Sequence, residues 1–288
     1  MTTTASDNSV SCLLFLHAQT PVHPGSGTAL GVIDLPVQRE RHTQWPTVPG
    51  STLKGILRDT CRRRGGEDGK DDLLAAFGPE AKDADMHAGA LAVTDARILA
   101  FPVRSLRGVF AWVTCPAVLA RLRRDAVLAD CDSNLPSAVP NPGRNACACS
   151  ADSSLLIDGQ RMVLEEFDLY RTDDTAATEW AAWIAQQGLA DELSRRRFES
   201  HLVVLDDDHF THFVRHGTEV VARIGLDYEK KTVKNGALFY QEFLPSETLF
   251  YAMAFANPSR RDTCAKTAVD IMRHVVERVP EVLQIGGD

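Results

Sequence analysis

An α+β fold around a single core is what this sequence predicts, on three observations. Short apolar or alternating runs of strand length recur between stretches with helical periodicity. No fixed-period internal repeat is visible, which argues against a solenoid or an array. Hydrophobic residues make up 44% of the 288 and charged residues 24%, the balance of an ordinary globular chain. A length prior of about 100–200 residues per domain allows one large domain or two small ones. The pattern favours one, spanning residues 1–288.

Taken in order, residues 11–17 (SCLLFLH) are an apolar run that fits a buried first strand. Residues 18–49 are rich in Gly, Pro, Thr and charges, and a loop of that length in a compact domain tends to be functional. Pro49-Gly50-Ser51 then announces a helix, with Ser51 as N-cap and residues 52–63 as its body. Strands are expected at 90–94, 97–103 and 108–114, with turns at Asp95 and Ser105. Pro116 suits the first turn of a helix running to about residue 129. Residues 132–160 have loop composition and are expected as an inserted, mobile segment. A strand at 162–167, a helix at 177–188, a strand at 201–205 and a short helix opened by Asp206 or Asp207 follow. Alternating segments at 218–227 and 237–244 flank Asn235-Gly236, a strong hairpin-turn signal. A strand at 249–256 precedes an amphipathic helix expected over 259–279, with Ala265, Ala268, Ile271, Met272, Val275 and Val276 along one stripe.

No apolar run approaches the roughly 18–20 residues that span a bilayer, and the N-terminus does not read as a signal peptide, so no membrane role and a cytoplasmic location are expected. Seven scattered cysteines argue against a disulfide framework. Cys147 and Cys149, with Cys131 upstream, lack the paired spacing of a zinc site and read as bystanders in a loop. The net charge of −8 cuts against nucleic-acid binding by the chain as a whole. A local groove decides the field, however, and basic clusters exist at Arg39, Arg41 and His42, at Arg58 and Arg62–Arg64, at Arg121, Arg123 and Arg124, and at Arg195–Arg197. For the last two clusters a solvated helix face is the simpler reading.

The segment 23–43, HPGSGTALGVIDLPVQRERHT, carries the most chemistry. Gly25, Gly27 and Gly31 let the backbone turn sharply and approach a phosphate closely, with Ser26 between the first two. Ser51 at a helix N-terminus marks an anion site, and Lys54, Arg39 and Arg41 add positive charge. The plainer reading is a folded surface loop whose glycines only make turns. Asp34 stands in an apolar frame, VIDLP, where a carboxylate can hold a divalent cation or cap a turn. His23 can accept or relay a proton, or bond a phosphate.

With the collinear segments 49–59 (PGSTLKGILRD), 89–116 (GALAVTDARILAFPVRSLRGVFAWVTCP), 164–167 (LEEF), 211–216 (THFVRH) and 231–240 (KTVKNGALFY), this segment resembles the RAMP-superfamily backbone subunit of type III-B (Cmr) CRISPR effector complexes. The resemblance implies a ferredoxin-like (RRM-related) palm with inserted finger segments and a β-hairpin thumb, here residues 218–244 with the tip at 230–236. It implies binding of guide RNA, metal-dependent cleavage of guide-complementary single-stranded target RNA, and Mg²⁺ or Mn²⁺ as cofactor. Asp34 falls on the family's catalytic aspartate and is the possible metal ligand; His23 is a second catalytic candidate. Implied partners are guide RNA, target RNA, further copies stacked head to tail, and other Cmr subunits. Two departures stand out. Tyr240 is followed by Gln241 and then Glu242, where the family often has consecutive acidic residues, so Glu242 is only an accessory candidate. The family pattern also continues past LQIGGD into glycine-rich sequence, implying a truncated end or a disordered tail. A non-cutting RNA-binding scaffold in the same kind of complex is the alternative. A stand-alone metal hydrolase is disfavoured by the lack of H-x-H or H-E-x-x-H motifs.

Overall fold

The computed structural model describes residues 9–286 except 30, 67–68, 81–82, 84, 227–228, 231 and 262, and for 234–236 the backbone alone. The chain opens with β1 (Val10–His17) and, after a long irregular lobe, β2 (Thr47–Val48), α1 (Gly50–Gly65) and α2 (Lys70–Phe77). Next come β3 (Leu91–Val93), β4 (Ala96–Arg104), β5 (Phe110–Thr114), α3 (Pro116–Leu128), β6 (Ala146–Ala148), β7 (Arg161–Leu164) and β8 (Phe167–Thr172). The rest is α4 (Thr175–Gly188), α5 (Glu192–His201), β9 (Leu202–Val204), α6 (Asp207–His216), β10 (Glu219–Leu226), β11 (Val233–Phe243), β12 (Leu249–Ala256) and α7 (Ala268–Val276). The architecture is α+β, with one large mixed sheet in the order β1-β12-β4-β5-β9-β6-β8-β7 and β2 and β3 attached at its side.

Strand β12 shows how the core forms. Every one of its residues but Phe255 is buried, so helices cover both faces of the sheet there. Its neighbour β1 divides its side chains by the two-residue period: Val10 and Cys12 pack on the cluster built by α1, α2 and α7, and Leu13 and Phe15 on the larger cluster. Phe15 meets Trp183 of α4 edge-on at 6.3 Å, and the Cys12 thiol contacts the Met272 sulfur of α7 at 3.7 Å. Asp125 of α3, 1% exposed, accepts hydrogen bonds from Arg97 and from the Tyr251 hydroxyl, so its buried charge is paired.

Several elements depart from expectation, each for a local reason. Helix α1 begins at Gly50, with Pro49 as N-cap and no side-chain cap, so Ser51 sits exposed inside the first turn. Gly50 is required there because a Cβ would stand 2.5 Å from the Val93 carbonyl. Its N–H donates to Asp95 at 2.7 Å, so a carboxylate already occupies one of the helix's free amides. The segment 162–167 is not one strand but the bend of a hairpin: Leu164 pairs with Phe167, and Glu165 between them takes φ 50°. The segment 132–160 contains β6, which pairs with β8 and β9 and places Cys147 and Cys149 in the core rather than in a loop. The seven cysteines are all free. The C-terminal helix starts at residue 268, not 259, because Thr267 and Asp270 form a reciprocal capping box.

Hairpin β10–β11 forms a separate two-stranded sheet, antiparallel from Glu219↔Phe243 to Leu226↔Val233. Asn235-Gly236 is not its turn but lies within β11; the connection falls at 227–232, partly outside the described residues, as does part of the expected 230–236 tip. Val220, Ile224, Leu226, Val233 and Leu238 are about half exposed along it. No helix among the described residues is long and apolar enough to cross a membrane.

Candidate functional site

The lobe between β1 and β2, expected as a loop, is held by backbone hydrogen bonds and anchored on β11. Val22 and Leu244 exchange N–H···O bonds of 2.9 Å each. Leu35 donates to the Tyr240 carbonyl and accepts from Glu242 N–H, both at 3.0 Å. Gly25 bridges Val37, and Arg39 bridges Pro46. Strand β11 is therefore paired on both edges, by β10 on one and by this lobe on the other.

Two of the sequence-derived candidates hang from that second edge. The half-buried Asp34 accepts the Tyr240 N–H on Oδ2 at 2.7 Å, leaving Oδ1 without a hydrogen bond among the described residues. His23 donates Nδ1–H to the Glu242 carbonyl at 2.6 Å, which fixes the tautomer and turns Nε2 outward. The anchors are two residues apart, about 7 Å of strand, with Leu35 between them. Asp34 is not among the residues that line the cavity beside His23, so the two groups flank the strand edge rather than share one pocket.

The same strand corrects two other expectations. Glu242, 3% exposed, takes the Val37 N–H at 2.9 Å and Arg39 Nη2 at 2.6 Å. Arg39 also donates to the carbonyls of Gln44 and Val214, both at 2.9 Å. Both charges are engaged in holding the lobe, which makes Glu242 a buried anchor and leaves the Arg39 guanidinium occupied by protein acceptors. Glu40 plays a related part: burial pushes its carboxyl up, but hydrogen bonds from Arg121 and Thr43 outweigh this and hold it below the usual carboxylate value.

Arg41 is exposed and makes no ion pair among the described residues. Lys54 donates to the Leu91 carbonyl at 2.7 Å, and burial with Arg58 nearby pulls its ammonium below its ordinary value. It lines a cavity of about 420 Å³ with Gly50, Ser51, Asn257 and Arg260. These two cations, unlike Arg39, keep charge available for a phosphate. Ser26 is exposed, with its hydroxyl on the Pro36 carbonyl. The glycines divide by role: Gly27 has φ +93°, whereas a Cβ on Gly25 would stand 2.7 Å from His23 Nε2. If His23 does acid–base work, Gly25→Ala, which displaces the imidazole, is expected to slow that reaction by roughly 10–10²-fold, short of the full effect of losing the group. Stopped-flow rates at saturating substrate, with unchanged assembly, are the measurement; a full-rate variant would remove His23 from the chemistry.

Sequence reasoning did not single out Arg223 or Gln241, which line a cavity of about 340 Å³ with Pro21, His23, Leu35, Phe239, Ile285 and Gly286. The signal available was Arg223 within an otherwise apolar run, VVARIGL. No cluster of three His, Cys, Asp or Glu side chains suited to a metal occurs among the described residues. Asp34 offers one open carboxylate oxygen, so its donor set fits a hydrated cation shared with a substrate phosphate and not an all-protein cage.

Comparison with known proteins gives concordant results. The family model for the RAMP superfamily matches residues 15–288. The CRISPR system Cmr endoribonuclease Cmr4 of Pyrococcus furiosus is 38% identical over 278 residues, covering 96% of this chain and 90% of that protein. The crystal structure of oligomeric Cmr4 from the same organism superposes with a TM-score of 0.73 at 30% identity, covering 98% of this chain and 93% of that one. A chain of the type III-B Cmr-beta complex bound to cognate target RNA matches with a TM-score of 0.67 at 22% identity, covering 89% and 87%, a likeness of fold.

Proposed function

The chain belongs to the RAMP superfamily and, within it, to the Cmr4 family, and from that premise we propose that it is a guide-RNA-binding backbone subunit that cuts guide-complementary target RNA. The observation that carries the reading is the pair Asp34 and His23, held two residues apart on one strand edge beside a protruding hairpin. In this reading the large sheet with α1 and α7 is a ferredoxin-like palm within a single domain, residues 132–160 are an inserted segment, and β10–β11 is the thumb. Copies stack head to tail, an arrangement that does not close on itself and is capped by other Cmr subunits. The location is cytoplasmic.

A regular A-form duplex holds each 2′-OH poorly aligned with its own phosphate. A hairpin that splays one nucleotide relieves that restraint at an unstacking cost of about a few kcal/mol. Asp34 Oδ1 then accepts the 2′-hydroxyl proton, and the 2′-oxygen attacks phosphorus in line. His23 Nε2, when protonated, lies on the leaving-group side and donates to the 5′-oxygen. Alternatively, Asp34 would hold a divalent ion, Mg²⁺ or Mn²⁺, instead of taking the proton, and the ion would supply charge neutralisation at the phosphate. Guide pairing reads the sequence, while the protein holds backbone and shape. The test is cleavage of guide-paired RNA by the assembled complex, wild type against Asp34→Ala.

A non-cutting scaffold is the second reading, favoured by one observation: Asp34 already serves as a hydrogen-bond acceptor for Tyr240. Either reading requires RNA contact through Arg41 and Lys54. Replacing both by alanine is expected to lower guide-RNA affinity roughly independently of sequence, and to reduce the slope of log K against log salt by about two. A salt titration with an unchanged slope would take this face off the RNA path.

A further inference from the structure

The segment 211–216, THFVRH, takes no part in the cleavage reading, yet it sets two histidines four residues apart at the end of α6. Residues so spaced share one face of a helix, and the His212 and His216 rings meet there, with centres 4.8 Å apart and planes tilted by 48°. That tilt is neither the parallel offset nor the edge-to-face geometry by which aromatic rings pair. It does suit chelation. An imidazole nitrogen sits about 2.0–2.1 Å from a bound metal ion, which puts the ring centre about 3.2 Å from it. Two such rings at a metal angle of about 90–110° stand about 4.5–5.2 Å apart. The observed spacing falls inside that window. Both rings are exposed, and neither makes a hydrogen bond or ion pair among the described residues. Phe167 packs edge-on against His212 at 5.1 Å, which sets the direction of that ring. His209, one turn earlier, is tied through Nδ1 to Asp206 and stays out of the pair. Arg215, the nearest cation in sequence, lies about 100° round the helix from His216.

We propose that His212 and His216 form a binding site for one late first-row transition-metal ion, Ni²⁺, Cu²⁺ or Zn²⁺, held through two imidazole nitrogens. Imidazole favours these ions, whereas Mg²⁺ and Mn²⁺ prefer oxygen ligands, so the site is separate from any ion at Asp34. It stands whether or not the chain cuts RNA. No third His, Cys, Asp or Glu joins the pair among the described residues, so water fills the remaining positions of the ion. The consequence is mechanical. Gly217 N–H donates to the Phe213 carbonyl at 2.7 Å and β10 starts at Glu219, so the clamped turn is the root of the hairpin. The same turn offers the Val214 carbonyl to Arg39, and Thr211 accepts from Trp45 Nε1 at 2.9 Å. A bound ion ties down the helix end that carries the hairpin and braces the lobe of Asp34.

The test is isothermal titration of the untagged full chain with Ni²⁺, in a buffer that does not chelate it. One ion per chain is expected at this site. His212→Ala and His216→Ala should each weaken its binding about 10²-fold, since a second ligand fixed on the same helix acts at high effective concentration. His42→Ala, at another exposed histidine, should leave it unchanged. At about a hundred times Kd, free Ni²⁺ should raise the Tm of the wild type by about 5 °C and slow exchange of the Gly217 amide, with neither effect in the variants. Because His212 also packs on Phe167, His212→Gln separates loss of a ligand from loss of packing. It should lose Ni²⁺ binding while keeping the metal-free Tm of the wild type. Equal affinity in the wild type and both helix variants overturns the proposal. So does loss in one variant alone, which marks a single-histidine contact, or equal weakening by His42→Ala. Binding that survives both helix variants and disappears with His23→Ala would place the ion at the strand edge and overturn it too.

Discussion

Asp34→Ala is expected to abolish cutting of guide-paired RNA, a loss of at least about 10²–10⁴-fold if the carboxylate acts as the base. Assembly and RNA binding should remain nearly intact, because the side chain contributes one hydrogen bond, to Tyr240 N–H, worth about 1 kcal/mol. Asp34→Asn separates the two roles of this residue. An amide oxygen can still accept from Tyr240, but it cannot take a proton or hold a cation as a carboxylate does. If complexes carrying Asp34→Asn keep native thermal stability yet fail to cut, the chemistry belongs to the charge; chelating divalent ions should then mimic the variant. Cleavage at matched target occupancy, with products resolved by length, is the deciding assay. Equal cutting by wild type and Asp34→Ala would sink the assignment, and absence of cutting in every complex would favour the scaffold.

The second large effect is on stability. Arg39→Ala leaves Glu242, 3% exposed, with a buried charge and, among the described residues, the Val37 amide alone as partner. Removing one member of a buried ion pair typically destabilises by about 3–5 kcal/mol. In a chain of this size that corresponds to a fall in Tm of roughly 10 °C, measurable by thermal unfolding. Glu242→Gln should fall less, since its amide oxygen can still accept from Val37. Loss of cleavage by Glu242→Gln with no change in Tm would instead return Glu242 to the chemistry and contradict the anchoring role.

What was legible in the sequence follows what periodicity encodes. Strands β1 and β12 and helix α3 declared themselves through apolar runs and Pro116. Helix α5 did not, because only Phe198 and His201 of its ten residues are buried, leaving no stripe to read. Strand β6 is three residues long and hidden in a Pro- and Ser-rich stretch, so its place depends on β8 and β9 far along the chain. At the site, Asp34 and His23 stood out because their segment is distinctive, whereas the burial and pairing of Glu242 were not legible. Nothing local tells a buried acid from a catalytic one; its partners Val37 and Arg39 lie about two hundred residues away. The place of Arg223 beside His23 was not legible for the same reason, since both reach it only through Phe243, far along the chain from His23.

Strand β11, zipped along both edges, also constrains how the gene can vary. An insertion or deletion within 237–243 would exchange the faces of Phe239 and Tyr240 and move the amide that holds Asp34, scrambling hairpin and site together. A change of length between Leu226 and Val233 leaves both zips in register. Evolution therefore has slack in that connection and almost none in the strand that follows, and an engineer seeking a position for a fluorescent tag or a cross-linking peptide inherits the same rule.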